Sequence, residues 1–93
     1  MARVEPQNIE AEINAIGCAF LNKEALDKVC EELTGEMFYD TKHQKIFEAL
    51  QKLREKEIAV DITTITNELE KDKGSLSSVG GLEYLTEIID SVA

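Results

Sequence analysis

The segment 38–50 constrains the fold of this 93-residue chain more than any other part of the sequence. Thr41 and Gln44 have the spacing of a capping box, in which both side chains satisfy backbone N–H groups that the first helical turn leaves unpaired. This spacing predicts a helix from about residue 42 to about Glu57. Its buried face is marked by residues recurring every three or four positions: His43, Ile46, Phe47, Leu50 and Leu53. Phe38 and Tyr39 are placed to fold back onto that face, so the segment predicts a central core helix.

A first helix is predicted after the polar residues 1–7, with Asn8 as its N-cap. Its apolar residues recur at spacings of four, three and four: Ile9, Ile13, Ile16 and Phe20. Gly17 interrupts this stripe at a cost of about 1 kcal/mol relative to alanine. We therefore expect another segment to cross the helix closely at Gly17.

Three more helices are predicted along the chain. The turn 22–24 opens a second helix, which Gly35 stops, and Asp61 caps a fourth. A strand over residues 58–65 is the alternative for that region, although it would lack a partner strand. Residues 74–80 are expected to form a flexible loop before a last helix. The residues expected to face inward on that helix are Leu82, Leu85, Ile88, Ile89 and Val92.

These segments predict an all-α fold, a compact orthogonal bundle of about five to six helices in a single small domain. Residues 1–7 would form an N-terminal arm and residues 8–93 the helical domain. The side chains expected in the structural core are Ile13, Ile16, Phe20, Phe38, His43, Ile46, Phe47, Leu50, Leu69 and Leu85.

The charge of the chain is strongly acidic and unevenly distributed. Nineteen acidic against ten basic residues leave a net charge of −9, which disfavours nonspecific binding of a phosphate backbone. Residues 42–57 are the exception, with five basic and three acidic groups. This strip is either a solvated face stabilised by pairs such as Glu48 with Lys52, or a docking surface for an acidic partner. The residues proposed for docking are Lys45, Lys52 and Lys56.

No constellation of catalytic or metal-binding residues is apparent in the sequence. The spacing of a phosphate-binding loop is missing, and a single histidine with Cys18 and Cys30 cannot assemble a zinc site. His43 is the only candidate base, but its position on the apolar face is typical of a structural histidine. The two cysteines are expected to be reduced. Since no signal peptide or membrane-spanning apolar run is present, we expect a cytoplasmic protein without catalytic, cofactor or metal sites.

An ordered set of motifs resembles the N-terminal domain of bacterial replicative DNA helicases of the DnaB type, from about Val4 to Val92. The motifs are Pro6-Gln7-Asn8-Ile9-Glu10-Ala11-Glu12 with Ile16-Gly17, Phe38-Tyr39 with His43 and Ile46-Phe47, Asp61 with Thr64 and Leu69, and Gly80-Gly81-Leu82 with Tyr84-Leu85. Ile13 departs from the family, which often has a polar or smaller residue there.

The resemblance implies that this chain is the helical head of a much larger protein. The parent would be a homohexameric, ATP- and Mg-dependent helicase that unwinds DNA at the replication fork. Its helical hairpin, linker and C-terminal motor would lie outside this chain. The head would self-associate as a dimer or as the collar of the hexamer, and would dock primase and the helicase loader. It would not bind DNA tightly, and it would not contact a membrane.

Two alternatives remain open at this stage. The helicase-binding domain of primase resembles the same fold, although the motifs at 8–12 and 80–85 favour the helicase. A small helix-turn-helix DNA-binding domain would use 62–69 as its recognition helix, with Thr63, Thr64 and Asn67 reading bases. That helix has no arginine and lies in an acidic chain.

Overall fold

The helix Thr41–Glu55 lies at the centre of the structure. Six of its residues are buried. The structure is a computed structural model, and it describes residues 8–72 and 74–92. The described residues include six α-helices and the short 3-10 helix Gly35–Met37. The α-helices are α1 (Ile9–Leu21), α2 (Lys23–Glu32), α3 (Thr41–Glu55), α4 (Ile62–Glu70), α5 (Ser75–Ser78) and α6 (Gly81–Val92). The all-α bundle expected from the sequence is confirmed, and the predicted arm, residues 1–7, lies outside the described residues.

The predicted N-cap residues of α1, α2 and α4 occupy the cap positions, although Asn8 makes no side-chain capping hydrogen bond, and the prediction for α3 differs. Asn8 and Asn22 precede α1 and α2, and the Asn22 side chain accepts the Ala25 N–H at 2.7 Å. Asp61 caps α4, and with Thr64 it forms a full capping box.

The capping box predicted for α3 is wrong. Asp40, one residue earlier than expected, accepts the Lys42 N–H at 2.8 Å. Thr41 is consequently the first helical residue. The Gln44 side chain instead donates to the Phe38 carbonyl at 2.7 Å, which fastens the preceding segment to the helix.

α3 ends at Glu55 rather than at the predicted Glu57. Glu57 has a left-handed backbone with φ of 59°, and the Ile58 N–H donates back to the Leu53 carbonyl at 3.0 Å. This is the six-to-one hydrogen bond of a Schellman-type helix end. Residues 58–60 then connect to α4 without regular structure, so the strand alternative is wrong. The predicted loop at 74–80 is wrong over the short helix α5.

Gly17 allows α6 to cross α1 closely, as the sequence predicted. A Cβ atom placed on Gly17 would lie 2.7 Å from Val92 Cγ2 and 3.1 Å from the Ile88 carbonyl oxygen. Both distances are shorter than ordinary van der Waals contact, and any side chain here would push the two helices apart.

The core is built around Phe47, Ile46 and Leu50 of α3, which are completely buried. Of the ten side chains assigned to the core, eight are buried, while Ile13 and Phe20 are half-buried against it. Tyr39 is 54% exposed, which contradicts its predicted packing. Phe38 and Asp40 have extended backbones, and neighbouring side chains of an extended segment point in opposite directions. With Phe38 buried, Tyr39 points outward.

The inward prediction for Leu82 is also wrong, because this side chain is 52% exposed. It lies in the first turn of α6, before the buried residues Leu85 and Ile88. The apolar stripe therefore extends one turn beyond the part of the helix that the bundle covers.

Candidate functional site

The polar centre of the structure joins three helices through Glu12 of α1, His43 of α3 and Tyr84 of α6. Glu12 Oε1 lies 2.7 Å from His43 Nδ1, and His43 Nε2 lies 2.6 Å from the Tyr84 hydroxyl. The side chains of Glu12 and His43 are completely buried. The Glu12 carboxylate also accepts the backbone N–H groups of Tyr39 at 2.6 Å and Asp40 at 3.3 Å.

The hydrogen-bond partners determine where the imidazole carries its proton. Carboxylate oxygens accept hydrogen bonds, and the tautomer with its proton on Nδ1 is the one in which His43 donates to Glu12. In the neutral ring, Nε2 then accepts the hydroxyl proton of Tyr84. Both ring nitrogens are therefore used within the protein, and the imidazole has no free nitrogen with which to act on a substrate.

Tyr84 is the third member of this network and is only partly buried. Its ring lies nearly parallel to His43, with an interplanar angle of 11°, and Lys42 Nζ lies 4.4 Å from its centre. Burial raises the pKa of the Tyr84 hydroxyl, and the nearby carboxylates of Asp40, Glu87 and Glu12 add to the increase. The hydroxyl therefore stays protonated and can donate to His43 at neutral pH.

Sequence reasoning identified His43 but missed its two partners. Glu12 and Tyr84 belong to the motifs that carry the family resemblance, but the sequence assigns neither of them a place in the core. A signal for Glu12 did exist, since it follows Ile9 by three residues and precedes Ile16 by four. This spacing places a carboxylate on the apolar face of α1, where it requires a buried hydrogen-bond donor.

The three lysines proposed for partner docking are in different situations. Lys56 Nζ lies 3.0 Å from Glu68 Oε1, and the Glu68 side chain is only 5% exposed. Lys45 Nζ donates to Ser78 Oγ at 2.9 Å, while Lys52 is exposed. The hydrogen bond from Lys56 lowers the pKa of Glu68, with a further contribution from Lys71. Lys56 thus neutralises a nearly buried carboxylate. Of the three proposed docking lysines, Lys45 and Lys52 remain the exposed ones that do not pair with a buried carboxylate.

The helix proposed for reading DNA has its key hydroxyl already engaged. Thr64 Oγ1 accepts the Asp61 N–H at 2.9 Å and donates to the Ala59 carbonyl at 2.8 Å. Thr63 and Asn67 are exposed. One of the three side chains that the helix-turn-helix interpretation needs is therefore committed to the start of α4.

Cys18 and Cys30 are free thiols and only half-buried. Burial raises the pKa of the Cys30 thiol, which disfavours a reactive thiolate there. Within residues 8–72 and 74–92, no three His, Cys, Asp or Glu side chains gather in a way that could hold a metal ion. Among the helices of these same residues, none is long and apolar enough to cross a bilayer.

The fold and the polar centre together define a small all-α domain in which a buried carboxylate, imidazole and phenol satisfy one another. Residues 4–93 match the family described as DnaB-like helicase N terminal domain. The chain therefore belongs to this family. The family assignment favours the helicase interpretation over the primase domain that resembles it.

Similar proteins include replicative helicases from several bacteria. The chain is 43% identical over 90 residues to the replicative DNA helicase DnaC of Bacillus subtilis, and 41% identical over 90 residues to DnaB of Geobacillus stearothermophilus. Each alignment covers 97% of this chain but 20% of the relative. The chain thus spans about a fifth of the length of these proteins.

A solved structure shares the fold. It is the N-terminal domain of DnaB helicase from Mycobacterium tuberculosis, which superimposes with a TM-score of 0.88 at 32% sequence identity. The match covers 97% of this chain and 62% of that structure.

Proposed function

We propose that this chain is the head of the N-terminal domain of a bacterial replicative DNA helicase and acts in protein interaction and ring assembly. The observation that carries the proposal is the family match over residues 4–93, supported by the TM-score of 0.88. In this role the head would form part of the collar of a homohexamer, and the collar would dock primase and the helicase loader in the cytoplasm.

The chemistry of unwinding would belong to parts of the parent protein outside this chain. ATP and Mg would bind a C-terminal motor domain, whereas the head would be non-catalytic and would hold no cofactor. The closed Glu12–His43–Tyr84 network supports this division, because both imidazole nitrogens are occupied by internal partners. The net charge of −9 likewise favours docking of proteins over tight binding of DNA.

Part of the lysine strip remains our proposed docking surface for primase. Lys52 and Lys45 are exposed on α3, and both line a small cavity of about 90 Å³ between α3, α4, Asp72 and Ser75. Lys56 is a weaker candidate than the sequence indicated, because removing it would leave the nearly buried Glu68 carboxylate with only its longer contact to Lys71 among the described residues.

The test is to reverse the charges of Lys45 and Lys52 and to measure binding of the helicase-binding domain of the cognate primase by isothermal titration calorimetry. Since an exposed ion pair contributes at most about 1 kcal/mol, the double reversal should weaken binding by about tenfold. The weakening should be smaller at high salt.

Lys28→Glu provides the control, because Lys28 is an exposed lysine on the different helix α2. It changes the net charge in the same direction without touching the strip. The control changes the net charge by half as much as the double reversal, so a loss of binding free energy half that of the strip variant would reduce the effect to overall charge. Unchanged binding in both would place primase elsewhere on the head.

A further inference from the structure

An open cavity of about 670 Å³ lies between the corner where α1 meets α2 and the segment that leaves α3. We call it the corner groove. Its walls come from the end of α1, the first turns of α2, the end of α3 and residues 57–60. The polar network described above does not contribute to it.

The corner groove has an apolar floor and two exposed apolar rims. Ala19 and Leu26 form part of the floor and are almost completely buried. Leu21 on one side and Ile58 on the other are 49% and 40% exposed. These two side chains are half of the four large apolar residues exposed within 8–72 and 74–92. Such a concentration beside a cavity of this size is typical of a surface that binds a partner.

The charges around the corner groove are unbalanced toward negative. Its two basic residues already have acidic partners: Arg54 Nε lies 2.8 Å from Asp27 Oδ1, and Lys23 Nζ lies 3.4 Å from the same carboxylate. Glu55 and Glu57 also line the groove and are exposed, yet neither makes an ion pair with any described residue. The lining thus carries one net negative charge, and the two carboxylates that make no ion pair among the described residues lie beside apolar surface.

Glu57 occupies a backbone conformation that favours glycine. Its φ of 59° makes it the one non-glycine residue with positive φ in the described part of the chain, where Gly74, Gly80 and Gly81 take the other positive values. A residue with a Cβ atom is strained in this region. The Schellman-type end of α3 requires this conformation at position 57. A glycine at 57 would relieve the strain but would remove a carboxylate from the rim of the groove.

We propose that the corner groove docks a segment of another protein that carries apolar anchor side chains flanked by lysine or arginine. The apolar anchors would cover Leu21 and Ile58, and the basic residues would pair with Glu55 and Glu57. A second copy of this chain seated symmetrically on the groove fits poorly, because it would bring its own Glu55 and Glu57 against the same two carboxylates. The site is separate from the lysine strip, whose partner would be acidic, and it does not depend on the proposed docking of primase.

The experiment selects random displayed peptides of about twelve residues on this chain and measures the affinity of the enriched peptides by fluorescence polarisation. We expect the selected peptides to combine large apolar residues with lysine or arginine. Ala59→Trp, which fills the groove from an exposed position, should weaken them by about tenfold or more. Leu21→Lys replaces an apolar side chain of the rim with a positive charge, which should repel the basic residues of the peptide. It provides a second test that does not depend on the folding of Ala59→Trp.

Two substitutions of Glu57 distinguish an effect on peptide binding from an effect on the stability of the fold. Glu57→Gly should raise the melting temperature, because it relieves the strained backbone, while it weakens peptide binding by about threefold to tenfold. Glu57→Gln should weaken binding without the rise in melting temperature. The matched control is Glu70→Gln, which removes an exposed carboxylate of α4 that does not line the groove and should leave binding unchanged.

Three results would overturn the proposal. One is that selection yields no binders, or binders without basic residues. Another is that both Ala59→Trp and Leu21→Lys bind the selected peptides as tightly as the original chain. The third is self-association in sedimentation experiments that Ala59→Trp abolishes, since the groove would then be occupied by a second copy.

Discussion

Replacing Glu12 with alanine should remove the centre of the polar network. The Glu12 carboxylate accepts hydrogen bonds from Tyr39 N–H, Asp40 N–H and His43 Nδ1, at 2.6, 3.3 and 2.7 Å. A buried donor left without a partner costs about 1–3 kcal/mol, and Glu12→Ala leaves three donors without this acceptor, two of them only partly buried. We expect Glu12→Ala to lower the free energy of unfolding by about 3–5 kcal/mol, a large part of the roughly 5–15 kcal/mol typical of a domain.

Glu12→Gln should be tolerated better, because the imidazole can change its tautomer. The carbonyl oxygen of the introduced glutamine can accept the Tyr39 N–H while its amide group donates to His43 Nδ1. His43 must then carry its proton on Nε2 and donate to the Tyr84 oxygen. The variant loses the longer bond from Asp40 and the charge assistance of the other two, so we expect a cost of about 1–2 kcal/mol.

Urea denaturation followed by circular dichroism measures both free energies, and nitrogen NMR of the imidazole reports the tautomer. The chain has one histidine, so its signals need no further assignment. Glu10→Ala is the matched control, since Glu10 is an exposed carboxylate on the same helix. The proposed role of the network is refuted if Glu12→Ala costs no more than this control, or if Glu12→Gln leaves the proton on Nδ1.

Three further predictions concern the helix crossing, the cap of α4 and the buried carboxylate of α4. Gly17→Ala should destabilise the fold by about 1 kcal/mol, because the clash with Val92 exceeds the gain in helix propensity. Adding Val92→Ala should recover part of this loss in urea denaturation, while the close approach to the Ile88 carbonyl remains. Asp61→Ala should cost about 1 kcal/mol in the same assay through loss of the capping box, and a change below the experimental error would contradict that role. Lys56 lowers the pKa of Glu68 below its ordinary value of 4.5. The ionised Glu68 carboxylate therefore stabilises the fold fully above pH 4.5, and this stabilisation is lost as the pH falls through the pKa of the folded state. The difference in unfolding free energy between the original chain and Glu68→Gln should accordingly be constant near neutral pH and shrink below pH 4.5, whereas a difference that persists in acid would exclude the pairing as its source.

Local signals in the sequence were sufficient to place most helices. The stripe of α3, the caps at Asn22 and Asp61 and the crossing at Gly17 each depend on residues within a few positions of one another. Where two local signals competed, the sequence offered no means of choosing between them. Asp40 and Thr41 are both good cap residues, and the extended backbone before α3 determined that Asp40 takes the position.

The candidate sites depended instead on residues that are distant in the chain. His43 lies 31 residues from Glu12 and 41 from Tyr84, and Lys56 lies 12 from Glu68. No helical periodicity relates residues at such separations. The sequence by itself determined an acidic all-helical domain with an apolar stripe on each main helix. The tertiary structure decided which polar side chains meet between those helices, because burying a carboxylate or an imidazole is tolerable only where another element brings its hydrogen-bond partner.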